Sequence, residues 1–328
     1  MDCETGLYIA VLKMSEQDKV GCMKGSILLV VVCTMQLCSI QTFAAQRTLP
    51  DLIEQVRQSV VQVTITIPHP GIPFSEVPIP EKERAYFAKP FFVLGTGVFI
   101  NSDGVVLTAA HVAQDAEMIL ADFAKVGVKA IVNISVQQPN VDSGKILVAA
   151  GNIDVPAVLV GIDPSRDVSA LRPLQNPFKE LPTVIGGVGA KDVPRPKPLV
   201  AKFGLERPRD GQSIFACGFP KGSPGLITTS GSIASAWNSE NLVTAQKNGS
   251  DKTIGIYQAD LRINPGNSGG PVFRESDQAL IGIVVEIGPD RGGLGIIVPA
   301  KEITAFLSSM GIAWTAPKPL TIRNPNTD

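Results

Sequence analysis

In Asn264-Pro265-Gly266-Asn267-Ser268-Gly269-Gly270-Pro271-Val272 a single serine stands among three glycines. A serine hydroxyl becomes a nucleophile only when a base takes its proton and nearby N–H groups receive the developing oxyanion. Glycines on both sides let the backbone turn sharply and aim its N–H groups into a cleft. The segment Gly266, Asn267 and Ser268 is therefore the expected oxyanion hole, with the Gly266 and Ser268 N–H groups as its donors. A plain glycine-rich turn between two strands is the other reading of the same residues, so the partners of Ser268 must decide.

The chain has two histidines, His69 and His111, and both precede Ser268. A G-x-S-x-G nucleophile elbow on an α/β-hydrolase sheet needs its histidine after the serine and its acid between them. That architecture is excluded for want of a base. The order left is histidine, acid, serine, which is the chymotrypsin order. His69 lies between Pro68 and Pro70 in a proline-rich stretch and reads as a solvated loop residue. His111 follows the apolar run Val105-Val106-Leu107-Thr108-Ala109-Ala110 and is expected at a strand end. Asp163 and Asp167 are the local candidates for the acid that holds the imidazole tautomer. Asp163 precedes a proline and reads as a turn initiator. Asp167 leads directly into Val168-Ser169-Ala170-Leu171, where a carboxylate is desolvated and worth keeping only with a partner.

Composition agrees with an exported β protein. Over 328 residues the chain is 44% hydrophobic and 18% charged with 31 Gly and 26 Pro, and its apolar runs are short and rich in Val and Ile. That mixture predicts many strands joined by tight turns. A formal net charge of -1 offers no basic field for nucleic acid. Residues 1–45 read as a secretory signal: Lys24, an apolar Ile27–Cys38, then Thr42-Phe43-Ala44-Ala45 with cleavage after Ala44. The apolar run is short for a membrane span, so no stable insertion is expected after cleavage, with an uncleaved anchor as the alternative. Met14 or Met23 would serve as the translation start, because Met1–Cys22 is mixed and polar. Cys3, Cys22, Cys33 and Cys38 lie in the removed segment and leave Cys217 alone, so no internal disulfide forms. Export without disulfides points to a periplasmic or secreted bacterial envelope protein.

Along the mature chain, Leu49–Val60 has a helical apolar pattern and runs into the alternating strand Val61–Ile67. Residues 68–90 form a long loop. Strands at Val93–Ile100 and Val105–Ala109 flank the turn Asn101-Ser102-Asp103-Gly104, and further strands fall at Ile131–Val136, Ile146–Ala149 and Ala157–Gly161. The expected division is a first β-barrel over 46–173 with an insertion near 122–144, an inter-barrel crossing with an insertion over 174–209, and a second barrel with a closing helix over 210–310. A loose tail follows over 311–328. The fold class is all-β, a chymotrypsin-like double β-barrel with a short N-terminal helix and a C-terminal helix.

Thr108-Ala109-Ala110-His111-Val112, Asp167-Val168-Ser169-Ala170-Leu171 and Ile263–Pro271 together resemble the triad motifs of the Do-like, high-temperature-requirement trypsin-like serine proteases. Ser59–Val63, Gly95-Thr96-Gly97-Val98, Ala216–Pro220 and Gly295–Pro299 extend the likeness from about Leu49 to Met310. The resemblance implies a site between two barrels with His111, Asp167 and Ser268 as the catalytic residues. It implies peptide-bond hydrolysis through an acyl-enzyme on unfolded or extended polypeptide, and it brings no metal or cofactor. It also implies that Val284, Val285 and Glu286 pair with extended substrate by β-augmentation, and that Arg262 stands where proteases of this clan set primary specificity. Pairing of Arg262 with Asp260 on the surface is the plainer alternative. Family members are often trimers, so a homotrimer is among the assemblies allowed. They often carry peptide-binding PDZ domains after the protease, for which the residues beyond Met310 leave no room. Two other functions remain open at this point: an inactive protease-fold binding or chaperone module, and an esterase on the same fold.

Overall fold

The computed structural model describes residues 48–67, 91–137, 152–180, 197–223, 225–240, 252–288 and 293–315, together with residue 81 and the pairs 141–142 and 147–148. The expected signal segment, His69 and most of the loop over 68–90 lie outside the described residues.

The chain enters through helix α1 (Leu49–Val56), whose start is tied by the Asp51 carboxylate to the Thr48 N–H and hydroxyl at 3.0 and 2.7 Å. Its buried face, Leu52 and Val56, lies on the core. One 3-10 turn later the chain becomes β1 (Val60–Thr66). Strands β2 (Phe91–Phe99), β3 (Val106–Thr108), β4 (Ile131–Gln137), β7 (Asn152–Asp163) and β8 (Val168–Pro173) join it in a closed barrel of order β1-β2-β3-β8-β7-β4. Two-residue strands β5 (Val141–Asp142) and β6 (Leu147–Val148) pair separately. The second closed barrel has the order β10-β11-β14-β13-β12-β9. It is built from β9 (Ser213–Gly218), β10 (Ile227–Glu240), β11 (Ile254–Asp260), β12 (Pro271–Arg274), β13 (Leu280–Gly288) and β14 (Leu294–Pro299). Every strand pair in both barrels is antiparallel, so the double β-barrel expected from composition and chain order is the observed fold.

The β2–β3 hairpin closes through the expected turn. The Asn101 side-chain oxygen accepts the Asp103 and Val105 N–H groups, each at 3.1 Å, which is the local bonding that makes Asn a turn former. The crossing between barrels is laced to both. Leu199 and Ala201 donate to the carbonyls of Gln58 and Phe99, while Gly204 donates to Leu280 and Lys202 accepts from it. The closing helix, α3 (Ala300–Ser309), buries Ile303, Phe306 and Leu307. Residues expected to begin a loose tail are held instead. Ile312 is buried, Ala313 accepts the Asn101 side-chain amide at 2.7 Å, and Trp314 meets Phe203 edge-on with centroids 5.5 Å apart. The largest apolar cluster runs through both barrels, from Val61 and Phe99 to Phe215, Phe273 and Phe306. Cys217 is buried in it, and burial pushes its thiol up to about 11 despite the opposing Thr228 hydroxyl. It is a small core residue with no reactive thiolate.

The strand expected at Val105–Ala109 is present as β3, but His111 does not sit at its end: the chain forms helix α2 (Ala110–Lys125), with His111 as its second residue. Val112, Ala116, Ile119 and Phe123 recur at helical spacing and are buried, and the last three pack with Ile65 beneath the helix. The strand expected at Ile131–Val136 is β4, which lies inside the region near 122–144 expected as an insertion and pairs with β1 on one edge and β7 on the other. Without it the first barrel could not close. Phe123 is fully buried and stands edge-on to Phe92 at 5.8 Å. Phe123→Ala should cost about 3–5 kcal/mol, read as a drop in the unfolding midpoint; a loss under about 1 kcal/mol would mean that α2 is not anchored through this ring.

Candidate functional site

The sequence brings His111 and Asp167 together from two elements of the first barrel. Strand β3 ends at Thr108, next to Ser169 of β8 in the ladder, so the residues just beyond those two positions are neighbours. Asp167 closes the turn between β7 and β8 in a left-handed conformation, φ 52°. Aspartate tolerates this better than most residues. Its carboxylate is buried, and both oxygens are used on the same residue. Oδ1 accepts the His111 backbone N–H at 2.9 Å, and Oδ2 lies 2.8 Å from His111 Nδ1. The first bond satisfies one of the orphan N–H groups at the start of α2, where Ala109 offers no side-chain cap. The second fixes the tautomer: a carboxylate only accepts, so Nδ1 carries the proton and Nε2 keeps its lone pair. The imidazole is partly exposed, with 29% of the side chain accessible against 2% for Asp167.

Asp163, the rejected candidate acid, has a different task. Its Oδ1 accepts the Ser165 N–H and hydroxyl and the Arg166 N–H, and its other oxygen takes the Arg166 guanidinium. Arg166 also reaches Glu302 of α3 at 3.0 Å. The turn presenting Asp167 is thereby tied to the closing helix. Burial works against the Asp163 charge, but the bonds from Ser165 and Arg166 outweigh it and hold the carboxyl below its ordinary range.

The loop carrying Ser268 belongs to the second barrel but is fastened to both. The Ser268 carbonyl accepts the Thr96 N–H of β2 at 2.9 Å. Gly95 makes the approach feasible, since a Cβ there would lie 2.8 Å from the Ser268 carbonyl and 2.7 Å from Val112. From the other side β13 clasps the loop, with Gly269 N–H donating to Val284 at 2.7 Å and Val284 N–H to Gly270 at 2.9 Å. Gly266 has φ 99°, and a Cβ there would sit 2.5 Å from the Phe219 carbonyl. Glycine is required at that position.

Backbone bonds in this loop adjust two residues of the sequence reading. Asn267 is removed from the donor set, because its N–H is taken up within the turn by the Asn264 carbonyl at 3.0 Å. Val284 is removed from the substrate-pairing strand, since its N–H and carbonyl both serve the serine loop. Val285, at the bulge in the β13–β14 register, and Glu286 are left as candidates beyond the end of β12. Arg262 is exposed, and among the described residues it forms no ion pair, with Asp260 or any other group. Sequence reasoning missed Thr96 and Lys221. Thr96 lies in the motif Gly95-Thr96-Gly97-Val98, which assigns it no role, and Lys221 gives no sequence signal beyond its place in Phe219-Pro220-Lys221-Gly222.

A family model described as the trypsin-like peptidase domain matches residues 95–283, more than half of the chain. The chain belongs to the trypsin-like peptidase family. A probable periplasmic serine endoprotease, DegP-like, from Pseudomonas putida is 27% identical over 295 residues, covering 82% of this chain and 50% of that protein. The putative serine protease HhoB of Synechocystis is 28% identical over 208 residues, 63% of this chain and 38% of that one. The chain thus spans half or less of the length of these curated relatives. Among solved structures, the active form of the Rv3671c protease from M. tuberculosis shares the fold, with a TM-score of 0.50 at 19% identity over 81% of this chain and 86% of the other. Within the family fold, the matched residues run from the Gly95–Thr96 approach through His111, Asp167 and Ser268 to Ile283. Among the described residues no cluster of His, Cys, Asp and Glu could hold a metal ion, and no helix is long and apolar enough to cross a membrane.

The Asp163 bonds give a pH prediction. A carboxyl whose folded pKa is depressed stabilises the fold above its unfolded value, and that contribution vanishes as pH falls through the folded value. Asp163→Asn should therefore melt lower than the parent at pH 7, by about 1 kcal/mol for a partly exposed pair. The gap should shrink once pH drops below the ordinary value of 3.8. A gap that stays constant down to pH 3 would contradict the assignment.

Proposed function

We propose that this chain is a serine endopeptidase in which Ser268 is the nucleophile, His111 the general base and Asp167 the residue that orients it. The observation that carries the reading is the buried Asp167 carboxylate with both oxygens on His111. Burial of an anion is costly unless it is fully bonded, and here the bonding leaves one imidazole nitrogen basic in a trypsin-like peptidase fold.

In the proposed reaction His111 Nε2 takes the Ser268 hydroxyl proton as Oγ bonds to the scissile carbonyl carbon. The carbonyl oxygen becomes an oxyanion facing the Gly266 and Ser268 N–H groups, and the imidazolium then gives its proton to the leaving amine as the C–N bond breaks. Water then repeats the sequence on the acyl-enzyme: His111 takes a water proton as the water oxygen bonds to the acyl carbon, and returns a proton to Ser268 Oγ as the acyl carbon–Oγ bond breaks and the acid product leaves. Asp167 remains a carboxylate throughout and stabilises the imidazolium. Extended polypeptide would pair along Val285 and Glu286, where β12 has ended and β13 continues. Such pairing needs a segment free of its own structure, so unfolded protein is the proposed substrate. Likeness to a periplasmic relative and the leader-like residues before Thr48 support work in the bacterial envelope.

The folded protein should take up a fluorophosphonate at Ser268 and cleave unfolded casein, and Ser268→Ala should abolish both. Folded protein that is never labelled would defeat the enzyme reading, and labelling without casein cleavage would point to an esterase. Cleavage should rise with pH across the range in which an imidazole loses its proton. A rate that is flat between pH 5 and 8 would remove His111 as the base.

A further inference from the structure

Thr96 has no role in the reaction as derived above, yet both its backbone and its side chain are bonded to the serine loop. The residue is fully buried on β2 of the first barrel. Its N–H donates to the Ser268 carbonyl at 2.9 Å, and its carbonyl accepts the Thr108 hydroxyl at 2.7 Å. Its own hydroxyl donates to the Gly266 carbonyl at 2.7 Å and accepts the Phe219 N–H at 3.1 Å. One hydroxyl thus holds the peptide that follows Gly266 and the turn that begins at Phe219.

That turn completes the arrangement. Two residues beyond Phe219, Lys221 adopts a left-handed conformation, φ 52°, and its N–H donates to the Pro265 carbonyl at 2.6 Å. In a trans peptide the carbonyl and N–H point in opposite directions. Holding the Pro265 carbonyl toward Lys221 therefore turns the Gly266 N–H the other way. The peptides on both sides of Gly266 are fixed, one by the Thr96 hydroxyl and one by a turn that the same hydroxyl anchors. Glycine is the residue freest to rotate about this point, so its N–H direction needs an outside reference.

We propose that the Thr96 hydroxyl is that reference: a positioning residue in the first barrel that sets the direction of the Gly266 oxyanion donor in the second. The proposal rests on the serine-peptidase reading. Loss of the hydroxyl leaves the Gly266 carbonyl and the Phe219 N–H without their partner, and the loop can then relax by rotating at Gly266. Substrate pairing along Val285 and Glu286 is untouched, so the defect belongs to the chemical step.

The test compares Thr96→Ser, which loses a methyl group, with Thr96→Ala, which loses the methyl and the hydroxyl. Each is read on an extended peptide substrate for kcat and KM, with binding of a peptide boronate that forms a tetrahedral adduct on the serine and binding of the matching product peptide. Removing one oxyanion donor costs about 10²- to 10³-fold in rate, so misdirecting one should cost about 10-fold or more in kcat. Thr96→Ala should show that loss with KM nearly unchanged, boronate affinity falling in parallel and product affinity preserved. Thr96→Ser should restore kcat to within about threefold of the parent, as expected if the hydroxyl rather than the methyl is what matters. Equal kcat for the two variants, or a loss confined to the melting temperature, would overturn the proposal. Should Thr96→Ala fail to fold, Thr96→Ser still decides: a folded serine variant with the full kcat loss would overturn it as well. Parent protein that is folded but inert to both boronate and fluorophosphonate would instead overturn the peptidase reading beneath it.

Discussion

The bonding of one buried carboxylate organises the first barrel around its edge. Asp167 is almost inaccessible, and an anion so placed must have its oxygens occupied. It meets that need with the backbone N–H and the Nδ1 of a single residue. The backbone bond suits a helix that begins at Ala110, because the His111 N–H is then one of the first four that lack an intrahelical acceptor. The side-chain bond requires that the imidazole lie beside β8, and Asp167 itself must turn left-handed at the end of the β7–β8 connection. Helix start, turn conformation and ring orientation thus all serve a single requirement. The helix dipole adds to the effect, since a negative charge is favoured at a helix N-terminus.

The turn that carries Asp167 is held from outside the barrel. Arg166 bridges Asp163 and Glu302, and α3 follows directly on the last strand of the second barrel. Beyond the helix, Ala313 and Thr315 bond back to Asn101 and Ile100. The second barrel therefore reaches around to brace the first, while β2 of the first reaches across to brace the serine loop of the second. Each half of the candidate site is stiffened by the half that does not contain it. The continuous apolar cluster through both barrels is the packing counterpart of this exchange.

Much of this was legible in the sequence because it is local or one-dimensional. The turn at Asn101–Gly104 follows from residues whose side chains bond their own backbone, and the order of His111, Asp167 and Ser268 needs no coordinates. Asp167 was separable from Asp163 because one precedes an apolar run and the other a proline. The start of α2 was hidden because Ala109-Ala110 continues the apolar strand run, and the helical spacing of Val112, Ala116, Ile119 and Phe123 appears only after it. The alternation in Ile131–Val136 marks β4 as a strand, but its place in the barrel is not legible there, since strand closure around a barrel is a property of the whole sheet. The roles of Val284 and Asn267 turn on which neighbour takes each N–H, and no spacing rule carries that. Thr96 is the extreme case: its hydroxyl partner at Gly266 lies 170 positions away.

The division of labour across the seam also explains why the serine loop is so rich in glycine. A loop that must accept Thr96 from one barrel and Val284 from the other has backbone, rather than side chain, as its contact surface. At Gly95 and Gly266 a Cβ would fall within 2.8 Å of a carbonyl oxygen from a different segment. Close backbone contacts of this kind fix direction well, because each carries a hydrogen bond with narrow angular tolerance. They also leave Ser268 and Gly266 half-exposed while their neighbours Asn267, Gly269 and Gly270 are buried. The glycines thus let the two barrels come close enough for their backbones to fix the loop, and between Gly266 and Gly270 the accessible residues that remain are the proposed nucleophile and its oxyanion donor.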